Sequence, residues 1–298
     1  MDGKRLAYLS AFAYSCTIGF SFLFVKVALR SATPFDVLAH RFMAAFLCAI
    51  VPPLLGRARF KAGPRELVSI LPLAILNPIS FFLLQTLGLV YISSSEAGIV
   101  QALAPVFALL LAIPLLGERS NRRQIASVLV SVGGVVFISV MGGANSAGGG
   151  EGAAKGLALV LAATLSFSLY TVFTRKLTRR FSVFELTFVM SLAGFVAFGL
   201  FAALRRALVP AASGFFAPFS EPSYLVAILF LGCASSFLSS FFSNFALSRI
   251  EASKMSVFGN LATVIAIFAG VVLLSEPFHW YHVLGTLLIV AGVLGANR

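Results

Sequence analysis

Charge is what this chain lacks. Of its 298 residues only 11% are Asp, Glu, Lys or Arg, while 59% are apolar and the mean hydropathy is +1.00; an ordinary soluble domain carries roughly 25% charged residues. So few polar groups cannot cover a water-facing surface, and the solvent is read as lipid. Acids are the scarcest, ten against 22 Lys and Arg. Asp2, Asp36, Glu66, Glu96, Glu118, Glu151, Glu185, Glu221, Glu251 and Glu276 all fall at the ends of apolar runs or between them. No carboxylate is therefore expected at the centre of a span, where its burial cost would mark function, and this weakens a mechanism that trades a proton on a central acid for a cationic drug. Cysteine is confined to Cys16, Cys48 and Cys233, far apart in apolar runs, and neither a disulfide framework nor a metal spacing follows from them. His279 and His282 stand at i and i+3 beside Trp280 and Tyr281 without a third ligand, so interfacial anchoring is expected rather than a metal site. No mid-span nucleophile with a base is visible, so no catalytic residue and no cofactor is expected, and the chain is not read as an enzyme. A net charge of +12 would suggest nucleic acid in a soluble protein, but the cations lie in short breaks between apolar runs, and no nucleic-acid partner is expected.

What the chain has is apolar runs of about 20 residues, the length of a membrane-crossing helix. In lipid only helices or closed barrels satisfy their own backbone, and runs this long point to helices. The fold class expected is an all-α integral membrane protein of ten transmembrane helices: Leu6 to Val27, Phe35 to Leu55, Leu67 to Leu89, Ile92 to Leu116, Ile125 to Met141, Leu157 to Thr174, Phe184 to Leu204, Tyr224 to Leu247, Ala252 to Leu274 and Val283 to Ala296. With the N-terminus inside, the inner breaks hold 16 Lys and Arg and the outer ones 5, with Arg41 inside a span. Cytoplasmic segments carry the excess of cations, so both termini are expected in the cytoplasm.

One stretch is written twice. Ile92 to Val135 recurs as Ile250 to Val293 at a constant offset of 158, with identities including Leu103/Leu261, Ala104/Ala262, Glu118/Glu276 and Gly134/Gly292. At offset 149 the earlier parts of the halves also match in type, as in Phe35/Phe184 and Asp36/Glu185. The organisation expected is a five-helix repeat over 1–141, a Gly-rich extracellular linker over 142–154 and a second repeat over 155–298. Five spans per half is odd, so the second half enters from the opposite side. Inverted repeats of this kind serve alternating access.

In place of acids the spans carry neutral polar groups. Asn77 and Gln85 lie in span three with Phe81 one turn from each, Gln101 and Pro105 in span four, Asn244 in span eight, and Ser256 and Asn260 in span nine. Ser10, Tyr14, Thr17 and Ser21 line one face of span one, and Tyr170 stands in span six. Together these are expected to line a central path for a small solute. Lys26 closes span one, and Arg41 lies six residues into span two, roughly 9 Å by helical rise; either is placed to gate the path or meet a substrate carboxylate. Glu118 and Glu276 are expected to anchor or cap helices. Small residues in spans five and ten, among them Ser127, Ser131, Gly134, Gly285 and Gly292, permit close helix packing.

Gly19-Phe20-Ser21-Phe22 with Lys26, Pro34 and Arg41, then Ala104-Pro105-Val106, Leu116-Gly117-Glu118 and Gly133-Gly134, then Leu274-Ser275-Glu276 and Ala291-Gly292, resemble the EamA branch of the drug/metabolite transporter superfamily. Within it the chain is most similar to the YddG-type exporters of aromatic amino acids. The resemblance implies a multi-pass carrier of the bacterial inner membrane that exports amino acids, aromatic or otherwise neutral, and related metabolites. It further implies a central cavity inside spans one to four and six to nine. A multidrug or other metabolite carrier is the alternative on the same fold. The expected partners are the lipid bilayer and a small-molecule substrate, with the protein working as a monomer.

Overall fold

The computed structural model describes residues 3–56, 58, 60, 63–116, 122–145, 150–177, 181–209, 214–247 and 252–296, and every regular element among them is helical. Helices lie at the stretches expected to span: α1 (Gly3–Leu29), α2 (Pro34–Leu54), α3 (Leu71–Gly88), α4 (Ser94–Gln101 then Ala104–Leu116), α5 (Arg122–Asn145), α6 (Gly150–Leu177) and α7 (Val183–Leu208). They continue as α8 (Pro222–Leu229 through Ser239–Leu247), α9 (Ala252–Phe268, running on to Leu273) and α10 (Trp280–Ala296). Among the described residues, stretches in α1, α2, α3, α4, α6 and α7 are long and apolar enough to cross a membrane, accompanied by shorter apolar helices in α8, α9 and α10.

Side-chain caps set three of the helix starts. Ser93 and Ser182 each accept a hydrogen bond from the backbone N–H three residues on, while Glu96 and Glu185 reach back to the serine N–H. This reciprocal capping box satisfies donors a helix start otherwise leaves free. Thr33 accepts from the Asp36 N–H, and Pro34 occupies the first turn of α2, where no N–H is needed. Thr33/Asp36 and Ser182/Glu185 are related by the offset of 149, so the repeated positions carry the same cap.

Two expected boundaries shift. Span five was expected from Ile125 to Met141, yet α5 runs 24 residues. Hydropathy marks where lipid contact ends, and nothing at Gly142 to Asn145 forces the backbone out of its helix. The expected linker is consequently helical at both edges, with α6 opening at Gly150; residues 146–149 lie outside the described ones.

Helices from the two halves interlock. α1 lies on α9: a Cβ on Gly19 would fall 2.7 Å from the Ala262 carbonyl oxygen, and Ser15 Oγ donates to the Phe258 carbonyl at 2.6 Å. α3 lies on α6, where a Cβ on Gly88 would fall 2.6 Å from Val160, and Ser166 Oγ donates to the Leu76 carbonyl at 2.9 Å. α2 lies on α7 through Phe42 and Phe198, ring centroids 5.0 Å apart. α5 pairs with α10 along small residues, as expected. There Ser131 Oγ donates to the carbonyl of Ile289, its own equivalent at offset 158. A Cβ on Gly134 would meet the Gly285 carbonyl, and one on Gly292 the Ser127 carbonyl. Offset 158 turns the first of these contacts into the second, so the α5–α10 seam is reciprocal.

Candidate functional site

Arg41 is the largest fully buried side chain, 1% exposed. α2 carries it toward α8, where Nε donates to Ser236 Oγ at 2.9 Å and Nη2 to Ser235 Oγ at 3.1 Å. Close approach of the two backbones allows this: a Cβ on Gly232 would lie 2.7 Å from the Arg41 carbonyl oxygen. The guanidinium also sits 4.1 Å over the Phe82 ring, a favourable cation–π placement. Nη1 has no partner, and no acid pairs with Arg41 among the described residues. A cation within a membrane span costs about 2.5–3.5 kcal/mol on insertion scales, so an unneutralised one retained there marks function. Burial, not the snorkelling open to a long cationic side chain, is its observed state.

From Phe82 a row of rings crosses α3 into α6: Phe82 to Phe81 at 4.7 Å, Phe81 to Phe167 at 5.1 Å, Phe167 to Tyr170 at 6.3 Å. Phe81 is 7% exposed and Gln85 5%. Just before them α3 breaks. Residues Ile75–Ser80 form a π-helical turn in which Asn77 is non-helical, φ −145° and ψ 117°. Pro78 explains the break, since it lacks an N–H and disfavours helical geometry at the residue before it. Ser166 takes up the Leu76 carbonyl, while Asn77 Oδ1 is left buried and without a partner among the described residues. Broken helices at mid-span are where transporters place binding groups. The break also corrects one expectation: Phe81 and Gln85 stay a helical turn apart, but Asn77 is out of their register.

Other expected residues fare differently. Thr17 Oγ1 donates to Ala13 O at 2.7 Å and Ser21 Oγ to Ile18 O at 2.6 Å, so these hydroxyls are spent on their own helix. Tyr14 packs at the small Ala7, Ala11 and Ala246 cluster. Gln101 ends the first piece of α4 and accepts from Thr164 Oγ1 of α6 at 3.2 Å. The break after it precedes Pro105, which cannot donate to the Gln101 carbonyl. Gly98, one turn before Gln101, faces α9: a Cβ there would lie 2.6 Å from Ala266 Cβ. The side chains of Asn244, Ser256 and Asn260 lie outside those described, and so does Glu118.

At the end of the bundle where α1 meets α2, a cavity of about 480 Å³ is lined by Lys26, Arg30, Leu89, Val90, Leu274 and Glu276, among others. Glu276 caps α4 from across the molecule. Its carboxylate accepts from Ser94 N–H at 2.7 Å, Ser95 N–H at 3.0 Å and Ser95 Oγ at 2.8 Å, which bears out a capping role for this residue. Ser275, with φ 55°, makes the turn that aims it; the first repeat has Gly117 at that position, the residue that adopts this conformation most readily. Gly270 leaves the carboxylate its space, since a Cβ there would collide with Glu276 and Ser95.

Sequence reasoning passed over His40. It is fully buried, with Nδ1 2.7 Å from the Tyr224 hydroxyl and rings of Phe215 and Phe219 within 4.6 Å of its own. Nearby, Arg206 grips Asp36 with two bonds of 3.1 Å. A histidine inside an apolar run was the available signal.

The EamA-like transporter family model matches residues 5–140 and again 154–298. The chain belongs to this family. It is accordingly a multi-pass membrane protein of the transporter class. An uncharacterized transporter of Bacillus subtilis, YcxC, is 46% identical over 291 residues, covering 98% of this chain and 92% of its own. A probable terminal-alkyne amino-acid exporter of Streptantibioticus cattleyicolor is 27% identical over 256 residues, covering 86% and 81%. A crystal structure that spans 97% of both chains superposes with a TM-score of 0.67 at 20% identity, a likeness of fold alone.

Proposed function

We propose that this EamA-family transporter exports amino acids, aromatic or otherwise neutral, and related small metabolites across the bacterial inner membrane by alternating access. The observation that carries the reading is Arg41: a buried guanidinium with a free Nη1, no acidic partner among the described residues, and a row of aromatic rings leading away from it. A guanidinium pairs with a carboxylate through directed, charge-assisted bonds, and Phe81, Phe82 and Phe167 offer faces to an apolar or aromatic side chain. Asn77 Oδ1 supplies an acceptor of the kind an ammonium group needs. The name of the S. cattleyicolor relative, an amino-acid exporter, supports the same substrate class. The reciprocal α5–α10 contacts and the offset-related caps support inverted halves, and the excess of cations in alternate breaks supports cytoplasmic termini.

Counterflow into proteoliposomes loaded with single amino acids tests this. Exchange of labelled phenylalanine or another neutral amino acid above empty vesicles is expected, strongly reduced in Arg41→Met and partly retained in Arg41→Lys. Failure to exchange any amino acid, or full activity in Arg41→Met, overturns the reading. Growth protection against lipophilic cations instead of amino-acid analogues would favour a multidrug carrier.

A further inference from the structure

We propose that Cys48 and Cys233 are a redox pair, which a lipid-soluble quinone oxidises to a disulfide that fastens α2 of the first half to α8 of the second. The two Sγ atoms lie 2.7 Å apart as free thiols. Disulfides require Cβ atoms about 3.5–4.5 Å apart on backbones about 4.4–6.8 Å apart. One residue before Cys233 the same two helices are in close contact, where a Cβ on Gly232 would stand 2.7 Å from Arg41 O and 3.0 Å from Ala45 N. Forming the bond joins two sulfurs that are already in contact.

The placement gives the bond a consequence. Cys48 follows Arg41 by seven residues, two turns along the same face of α2, and Cys233 precedes Ser235 and Ser236 on α8. The thiols thus lie on the seam that holds Arg41 by its two serine contacts. Both are half-buried, and the adjacent Leu47 is exposed on the lipid-facing side of α2, within reach of a hydrophobic oxidant dissolved in the bilayer. In the reaction two S–H bonds break and one S–S bond forms. The two electrons and two protons pass to the quinone, which leaves as a quinol, and a dithiol reverses the step by exchange. Cys16, on α1, is the third free cysteine and serves as an internal standard.

The test uses the full-length protein in lipid nanodiscs, treated with decylubiquinone or with dithiothreitol, then unfolded in detergent and labelled with a polyethylene-glycol maleimide. Reduced protein takes up three labels, one for each cysteine of the chain. After quinone, one label is expected, with three restored by dithiothreitol and a Cys48–Cys233 peptide found by mass spectrometry; Cys48→Ser takes two labels under both conditions. Three labels after quinone, or a loss that dithiothreitol does not restore, overturns the pair. The second arm rests on the transport function proposed above. Oxidation is expected to slow counterflow several-fold in the wild type and not at all in Cys48→Ser, and unchanged counterflow in fully cross-linked protein overturns the fastening role. Because labels are counted without any substrate, absence of amino-acid exchange would leave the thiol result standing on its own.

Discussion

Replacing Glu276 with Gln leaves the number of heavy atoms unchanged, yet it should loosen one end of the molecule. The carboxylate accepts three bonds at the head of α4, from Ser94 N–H, Ser95 N–H and Ser95 Oγ. A carboxamide has one acceptor oxygen; set against Ser95 it keeps two of the bonds, but its NH₂ then faces the Ser94 N–H, so one of the three bonds is lost together with the charge. A bond to a charged group contributes about 1.5–3 kcal/mol, and a negative charge at a helix start adds about 0.3–1 kcal/mol. For one lost bond and the lost charge the lower figures sum to about 2 kcal/mol. At about 1.4 kcal/mol per decade, the form with this side chain detached gains about twentyfold in population. Leu89 is fully buried beneath the cavity. In a cysteine-free protein bearing Leu89→Cys, the rate of maleimide modification follows that population when opening is fast relative to labelling. Glu276→Gln should raise the rate by one to two decades by this estimate, Glu276→Asp by less. Gly270→Ala, which crowds the carboxylate without touching its charge, should raise it as well. Equal labelling rates in the parent and all three variants would refute the view that this carboxylate holds the two parts together.

Further measurements follow from the packing. Gly134→Val should drive a side chain into the Gly285 carbonyl and lower thermal stability in detergent by the equivalent of about 1–3 kcal/mol, the usual penalty of overpacking. Asp36→Asn should remove the two-bond grip of Arg206 and reduce stability by about 1–3 kcal/mol, with Asp36→Glu recovering part of it in the same melting assay. Ser166→Ala should leave the Leu76 carbonyl at the α3 break without its donor, a loss of about 1 kcal/mol that thermal unfolding reads directly.

Helix positions were legible in the sequence because lipid makes apolarity a near-sufficient signal. The ends were less so, and α5 shows why: hydropathy stops at Met141, while the backbone continues to Asn145. The motif around Glu276 was legible as a cap because an acid after a long apolar run has few other uses. Its seat on α4, 181 and 182 residues away in sequence, was not, since no local pattern names a long-range partner. Polar residues at helical spacing are an ambiguous signal in a lipid-facing chain. Thr17 and Ser21 bond to their own helix α1, because a hydroxyl in lipid bonds to its own backbone as readily as to a solute. The α3 break had a plain local cause in Asn77-Pro78, a dipeptide that marks turns. Arg41 was visible as an anomaly, but its burial and serine partners belong to α8, in the other half of the chain.

The interlocking of helices has a consequence for what moves. α1 is keyed to α9 through Ser15 and Gly19, whereas α3 and α4 are keyed to α6 through Ser166, Thr164 and Ser168. Each half therefore lends its opening helix to the other. The rigid pieces of this molecule are woven from both halves, and the chain's midpoint is not a hinge. Severing the polypeptide between α5 and α6 would divide the gene product without dividing the machine, and each fragment would lack part of the surface its own helices are shaped to meet.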